Sequence, residues 1–590
     1  MESYAMPRYF QHMPTIGQPL TAADDKNRAA LQKVEDAIAQ KRQAILDSGK
    51  PTAALNEKGQ LCAMQRIEKL VDEGTFLPLN SLFNPYGNET GSTGVVKGLG
   101  KVGGKWVVIA ASDNKKLAGA WVPGQPENML RAADAAKRLR IPLVCLFNCS
   151  GVKLDRQEDI FPGRNGGGAL LYRNAALNQA GVPVIAGMYG TNLAGGGYQG
   201  ITPTVILAQK SAHMAVGGSS ILGGMEPPRG QVDESGAASL IAAQAHLPKE
   251  APGSMAVHHD TTGFVREVYG TEEEVIAGIR EYIGYLPAYA PEFFRVAALQ
   301  EPTYPAEDLY SLLPFDQHRT YDIRQIIARL VDGSAFAEYR PDYGPEVITG
   351  TARLNGLPVA IAANVQGFFL HYPDYRRDSF SVGGKLYRQG LIKLSEFVAL
   401  CARDRLPVIW MQDTTGVDIG DDAERSELLG LGQSLIYTIQ QSDLPMLEVT
   451  LRKGAAAAHY VMGGPQGQDT NAFSLGTAAT EVCVMHAQTG AAAMYGGKLA
   501  KDSAAGKPLE PTIDKMNAMI ESYAEKSTPA YCAQKGMVDE IAALRDLRPY
   551  LLAFAEAAYQ NPASLCPVHQ MLLPRVMAEQ GISNDVTTLL

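Results

Sequence analysis

The chain repeats itself, and the repeat narrows the folds open to it. Leu70-Val71-Asp72-Glu73-Gly74-Thr75-Phe76 is echoed by Leu330-Val331-Asp332-Gly333-Ser334-Ala335-Phe336. Each run follows a helical stretch, Arg66 to Lys69 and Ile326 to Arg329, and each leads into a predicted hairpin. The hairpins turn at Gly103-Gly104 and Asn355-Gly356, residue pairs that reach the positive φ angles two-residue loops need. Further on, a helix over 132–140 ends at Ile141-Pro142 before the apolar run Leu143-Val144-Cys145-Leu146-Phe147. Its echo is a helix over 397–405, then Leu406-Pro407, then Val408-Ile409-Trp410-Met411. The apolar-Pro step recurs at Val182-Pro183 and Leu444-Pro445. Proline at the mouth of a strand removes no ladder donor. Several segments repeated in one order imply a duplication. Short apolar runs alternating with helices predict mainly parallel strands covered on both faces. Each half is therefore expected to be an α/β unit with at least two β-α-β passes.

A chain of 590 residues exceeds what one core serves. The expected divisions are an N-terminal helical arm over 1–60, halves over 61–300 and 301–560, and a tail over 561–590. Asp25 to Ser48 reads as an amphipathic helix with Leu31, Val34, Ile38 and Ile45 on one stripe, Gly49 as its stop, and a neighbouring molecule as its support. The proline-rich stretch from Leu286 to His318 reads as the connection between halves. Ile541 to Tyr559 reads as helical with a break at Pro549. The net charge of −9 argues against nucleic acid as a partner, since phosphate binding needs a basic face. No run of about 18 apolar residues suits a membrane span, and the start lacks a secretory pattern. The seven cysteines read as free thiols of a cytoplasmic protein, most of them buried. Neither Cys145 and Cys149 nor His258-His259 has companions at metal spacing, so no metal is expected.

Small residues collect where strands should end. The first half has Asn148-Cys149-Ser150-Gly151-Val152-Lys153, then Thr191-Asn192-Leu193-Ala194-Gly195-Gly196-Gly197-Tyr198. The second has Gln412-Asp413-Thr414-Thr415-Gly416-Val417-Asp418-Ile419-Gly420 and Arg452-Lys453-Gly454-Ala455-Ala456-Ala457-Ala458-His459. Such residues either allow close helix–sheet packing or let a ligand oxygen reach backbone N–H groups at a helix start. Duplicated pairs of these turns favour the second use, because two turns side by side aim two donors at one oxygen.

Over nearly its whole length the chain resembles the carboxyltransferase subunits of biotin-dependent enzymes, a branch of the crotonase superfamily. The resemblance rests on Arg66 to Asp72 and Arg452 to Ala458. Met6-Pro7-Arg8-Tyr9-Phe10, Ser112 to Trp121 and Gly384-Lys385-Leu386-Tyr387-Arg388-Gln389-Gly390 resemble the alpha subunits of glutaconyl-CoA decarboxylases within that family. It implies two crotonase-like domains. It also implies a first oxyanion hole at Val152 and Gly196, flanked by Gly151, Gly195 and Tyr198, for the thioester carbonyl of an acyl-CoA. A second hole for the biotin ureido oxygen is implied at Val417 or Gly420 with Ala456 or Ala457, beside Gly416. Here the chain departs from many relatives, which carry Gly-Gly where Ala456-Ala457 stand. Lys115, Lys116, Lys153 and Arg164 are candidates for the coenzyme A phosphates.

The implied reaction moves the carboxyl group of glutaconyl-CoA to biotin on a carrier subunit, giving crotonyl-CoA. No Ala-Met-Lys-Met-like biotinylation turn occurs in the chain; Asp514-Lys515-Met516 comes nearest. The implied partners are that carrier, a membrane decarboxylase subunit of a sodium-pumping complex, and a second copy in a homodimer, which would hold the chain at the membrane from the cytoplasmic side. Three alternatives stay open. One is the carboxyltransferase beta subunit of a propionyl- or methylcrotonyl-CoA carboxylase. Another is a crotonase-type hydratase or isomerase using Asp155, Glu158 or Asp159. The last is a non-catalytic assembly subunit.

Overall fold

The computed structural model describes residues 13–217, 231–245, 252–287, 294–370, 372, 381–464, 471–561 and 564. The motif at Met6 to Phe10, Cys566 and most of the expected tail lie outside them. The described residues fall into two compact units, one within 42–288 and one within 1–41 plus 289–589. The boundary thus runs through the first helix, Asp25–Asp47.

The 42–288 unit is built on a seven-stranded sheet: β1 (Leu77–Leu79), β2 (Val95–Val102), β3 (Lys105–Ser112), β4 (Leu143–Phe147), β5 (Val184–Met188), β6 (Val205–Gln209) and β7 (Glu267–Tyr269), in that spatial order. β1 to β3 pair antiparallel and the rest parallel. The other unit repeats the order with β8 (Ala337–Glu338), β9 (Val347–Leu354), β10 (Leu357–Asn364), β11 (Val408–Thr414), β12 (Met446–Ala455), β13 (Asn471–Gly476) and β14 (Glu540–Ile541). Its first three strands are again antiparallel and its remaining pairings parallel. A short strand, Glu481–Cys483, adds to the end of β12.

The duplication extends to side chains. Gly103 and Gly104 both have positive φ, as do Asn355 and Gly356. Asp72 holds the first turn, accepting from Gly103 N–H at 3.0 Å and Gly104 N–H at 2.7 Å. Asp332 holds the second, accepting from Asn355 N–H at 3.1 Å and Gly356 N–H at 2.7 Å. An arginine from each unit's late helix completes the clasp. Arg280 pairs with Asp72 and donates to the Leu70 carbonyl; Arg548 pairs with Asp332 and donates to the Leu330 carbonyl. Burial opposes the charge on Asp72, yet the Gly104 and Gly103 N–H groups and Arg280 hold its carboxyl below its ordinary value.

The prolines act as expected. The Pro142 and Pro407 carbonyls each accept from the neighbouring strand at 2.9 Å, at Val108 and Ala360. One core gathers Ile109, Val144, Ile185, Leu207 and Ile279; the other gathers Ala362, Leu394, Val408, Trp410 and Met446.

Three expectations change. The first helix rests on its own chain: Leu31 and Ile38 are buried, and Asn27 Nδ2 donates to the carbonyls of Tyr310 and Leu313 at 2.7 and 2.9 Å. The proline-rich stretch is consequently more than a connection, since Leu309, Tyr310 and Leu313 are wholly buried. Pro549 breaks nothing, because it falls in the first turn of Leu547–Gln560, where its missing N–H has no intrahelical partner to lose. Among the described residues no helix is long and apolar enough to cross a membrane.

Candidate active site

Two chain exits meet at the carboxyl edge of the first sheet. Residues 148–152 leave β4, and the chain after β5 runs through Thr191–Leu193 into the helix Gly195–Gln199. Asn192 ties them together. Its Oδ1 accepts from Cys149 N–H and its Nδ2 donates to the Tyr189 carbonyl, both at 3.0 Å. Leu193 N–H donates to the Cys149 carbonyl at 3.1 Å. Trp121 closes the other side by pairing in parallel with Val152: Trp121 N–H donates to Gly151 O at 2.8 Å, and Lys153 N–H to Trp121 O at 2.9 Å.

That pairing uses the groups on either side of Val152 and leaves its own N–H facing away. Among the described residues the Val152 N–H meets no acceptor. The N–H groups of Gly195, Gly196 and Gly197 are likewise unpaired, as in the first turn of any helix. Gly196 presses on the β4 exit so closely that a Cβ there would stand 2.4 Å from the Cys149 carbonyl oxygen. A Cβ on Gly195 would stand 2.9 Å from the Trp121 ring. Cys149 and Trp121 therefore bring the Val152 and Gly196 segments together, at a place with free donors.

The second sheet repeats this arrangement with other side chains. Gly416 has φ +134°, against +133° at Gly151. Gly416–Val417 pairs in parallel with Lys385–Leu386, and Asp418 N–H donates to the Leu386 carbonyl at 2.9 Å, so the Val417 N–H also faces away. Ala456, at φ +54°, opens the helix Ala456–Val461 as Ala194, at φ +49°, opens Gly195–Gln199. Tyr198 and Tyr460 each follow that left-handed alanine by the same interval, and both are exposed. This register sets Ala457 on Gly195 and Ala458 on Gly196. The counterpart of Gly196 in this register is Ala458, wholly buried, one residue beyond Ala457. Gly420 caps the short helix Asp421–Arg425.

Sequence reasoning missed the supports behind this second exit. Gln412 Nε2 donates to the carbonyls of His459 and Met462, each at 2.8 Å, and its Oε1 lies 2.8 Å from His459 Nδ1. Arg452 Nε pairs with Asp413 Oδ2 at 2.8 Å, both side chains wholly buried. Arg452 also donates to the carbonyls of Asp316 and Arg319 and lies over the Tyr321 ring. Strand-end position was the only available signal for Gln412.

The cationic candidates divide. Lys115 Nζ donates to the Leu46 carbonyl at 2.6 Å. Lys116, buried, pairs with Asp113 at 2.5 Å and donates to the Ile45 carbonyl at 2.8 Å. Both amines bind the last carbonyls of the first helix, and Lys116, buried against Asp113, is thereby withdrawn from its expected phosphate role. Lys153 is partly exposed with Asp155 at 3.4 Å, and Arg164 is exposed. The acids of the hydratase alternative are not poised: Asp155 faces Lys153, Asp159 pairs with Arg156 at 2.7 Å, and Glu158 is exposed.

Burial pushes His459 down to about 4. The folded state therefore keeps this ring neutral where the unfolded chain, near 6.5, takes up a proton. Its contribution is complete above about pH 6.5 and is lost as pH falls toward 4, a change of about 3 kcal/mol for a shift of this size. His459→Gln is expected to flatten this part of the stability–pH profile, read by denaturant titration between pH 4 and 7; an unchanged slope would assign the acid sensitivity elsewhere.

A family model described as "Carboxyl transferase domain" matches residues 54–572. The chain belongs to the carboxyl transferase domain family. It is 58% identical over 98% of its length, and 99% of the relative's, to the glutaconyl-CoA decarboxylase subunit alpha of Acidaminococcus fermentans. It is 26% identical to the biotin-dependent 3-methylcrotonyl-coenzyme A carboxylase beta1 subunit of Mycobacterium tuberculosis, over 82% of this chain and 86% of that one. The crystal structure of the P. aeruginosa geranyl-CoA carboxylase beta subunit matches in fold with a TM-score of 0.75 at 23% identity, over 93% of this carboxyltransferase and 98% of that chain. That likeness is one of fold, and the two units that repeat one strand order agree with the duplication the resemblance implied.

Proposed function

We propose that this carboxyltransferase takes the carboxyl group from glutaconyl-CoA and passes it to biotin carried by another subunit, releasing crotonyl-CoA. The observation that carries the reading is the 58% identity, end to end, with a glutaconyl-CoA decarboxylase alpha subunit. The geometry supports it. Loss of the carboxyl group leaves a dienolate, and its charge spreads onto the thioester oxygen. The Val152 and Gly196 N–H groups, fixed by Trp121 and Asn192, are the donors for that oxygen, and each such donor is worth about 2.7–4 kcal/mol in the transition state. Lys115, Lys153 and Arg164 remain for the coenzyme A phosphates.

The second exit fits a neutral urea-like ring, since it offers unpaired N–H groups beside small residues, and the buried charges behind it, Arg452 and Asp413, neutralise each other. When bound, biotin supplies the nitrogen that accepts the carboxyl group. Val417 and Ala458 hold its ureido oxygen; Gln412 and the Arg452–Asp413 pair keep that helix start in place. The working assembly adds a biotin-carrier subunit, a membrane decarboxylase subunit and a second copy of this chain, with the active site between copies.

The purified chain is expected to form crotonyl-CoA from glutaconyl-CoA only when free biotin or the carrier is supplied, with the carboxyl group recovered on the added biotin. Equal rates with and without biotin, bound biotin being excluded by mass spectrometry, would sink the reading in favour of direct decarboxylation. Faster turnover of propionyl- or methylcrotonyl-CoA in the carboxylating direction would move the substrate assignment within the family.

A further inference from the structure

The short strand Glu481–Cys483 runs parallel to the end of β12, with Cys483 opposite Ala455. Ala455 precedes the left-handed Ala456, so Cys483 stands directly beside the start of the helix that carries Ala458. Cys483 Sγ lies 3.7 Å from His486 Nδ1. The same nitrogen lies 3.5 Å from Glu481 Oε2. His486 Nε2 is buried and has no partner among the described residues, so Nδ1 carries the polar contacts of the ring. The bond to Cys483, with Glu481 beside it, pushes His486 up to about 9, which makes it an imidazolium at neutral pH. A partly exposed cysteine with an imidazole nitrogen and a carboxylate beside it has the setting of a reactive sulfur. The other described cysteines are buried, and burial pushes the thiols of Cys145, Cys149 and Cys532 up to about 12. Charge partner, exposure and placement thus single out one sulfur.

We propose that Cys483 is a reactive thiol, open to soft electrophiles and peroxides, whose modification blocks the neighbouring helix start and stops carboxyl transfer. The effect on transfer rests on the function proposed above; the reactivity rests on the Cys483–His486–Glu481 cluster alone. With iodoacetamide, the thiolate sulfur attacks the methylene carbon, a C–S bond forms, the C–I bond breaks and iodide leaves. With hydrogen peroxide, an S–O bond forms and the O–O bond breaks; sulfur is oxidised to the sulfenic acid, and the peroxide is reduced to hydroxide.

The test exposes the full chain to iodoacetamide, follows each cysteine by peptide mass spectrometry and assays transfer to free biotin in parallel. Cys483 is expected to label at least about ten-fold faster than any other cysteine, with activity falling in step. Cys483→Ser keeps its activity and resists inactivation. His486→Gln slows labelling of Cys483 by about ten-fold. Earlier labelling of another cysteine, Cys566 included, overturns the proposal. So does inactivation of Cys483→Ser at the wild-type rate, or an unchanged labelling rate in His486→Gln. Because labelling is read by mass, a chain inactive before treatment would refute the proposed function and still leave the reactivity of Cys483 decided.

Discussion

Replacing Gly196 by valine is expected to lower carboxyl transfer by two to three orders of magnitude or more, the usual result of losing one oxyanion donor. The cause is steric. A Cβ at this position meets the Cys149 backbone oxygen at 2.4 Å, and a carbonyl within a strand exit has little room to withdraw. The helix start must move, and its N–H moves with it. Overpacking of this kind also costs about 1–3 kcal/mol of stability, so Gly196→Ala is the cleaner variant, with the same clash and less added bulk. Gly168→Ala is the control, because a Cβ there meets nothing within 4 Å. Full activity in Gly196→Val would show that the first hole lies elsewhere.

The second large effect concerns stability. Asp332→Ala is expected to cost about 3–5 kcal/mol, because it strips the buried partner from a buried arginine, leaving only the exposed Glu301 at 3.4 Å, and removes the acceptors from a hairpin turn. Asp332 and Arg548 have side-chain exposures of 1% and 7%. Their counterparts Asp72 and Arg280 stand at 29% and 37%, so Asp72→Ala is expected to cost only about 1 kcal/mol, with solvent screening the lost charge. Denaturant unfolding, followed by hydrogen exchange in each unit, checks the contrast. Equal losses in the two variants would remove burial as the reason for the difference.

What the sequence disclosed were features with local causes. The Gly-Gly and Asn-Gly turns need left-handed backbone, and the structure puts both pairs there. The prolines at 142 and 407 mark strand mouths wherever the chain runs in this pattern. The left-handed residue in Ala455-Ala456-Ala457-Ala458 was hidden, because four identical side chains carry no mark of which one turns. Only the matched φ at Ala194 and the spacing to Tyr198 and Tyr460 resolve it. Lys116 misled for a different reason. Two adjacent lysines read as partners for phosphate, but the carbonyls they bind come from about 70 residues earlier, a distance no local pattern reports. Asn192 and Gln412 were unmarked because amides that brace a turn look, in sequence, like amides in water.

The first helix has a further consequence, for the order in which a ribosome delivers the parts. Asn27 waits for carbonyls 283 and 286 residues later. Glu35 accepts from the Leu544 N–H, 509 residues on. At synthesis rates of about 5–20 residues per second, the N-terminal part of this helix waits roughly a quarter of a minute to a minute for those carbonyls to emerge. Residues 42–288 meanwhile hold every strand of their own sheet and their own Arg280 clasp. The nascent chain therefore carries a finished unit that holds the end of an amphipathic helix whose N-terminal part still lacks its partners, and that interval is when a chaperone has most to protect.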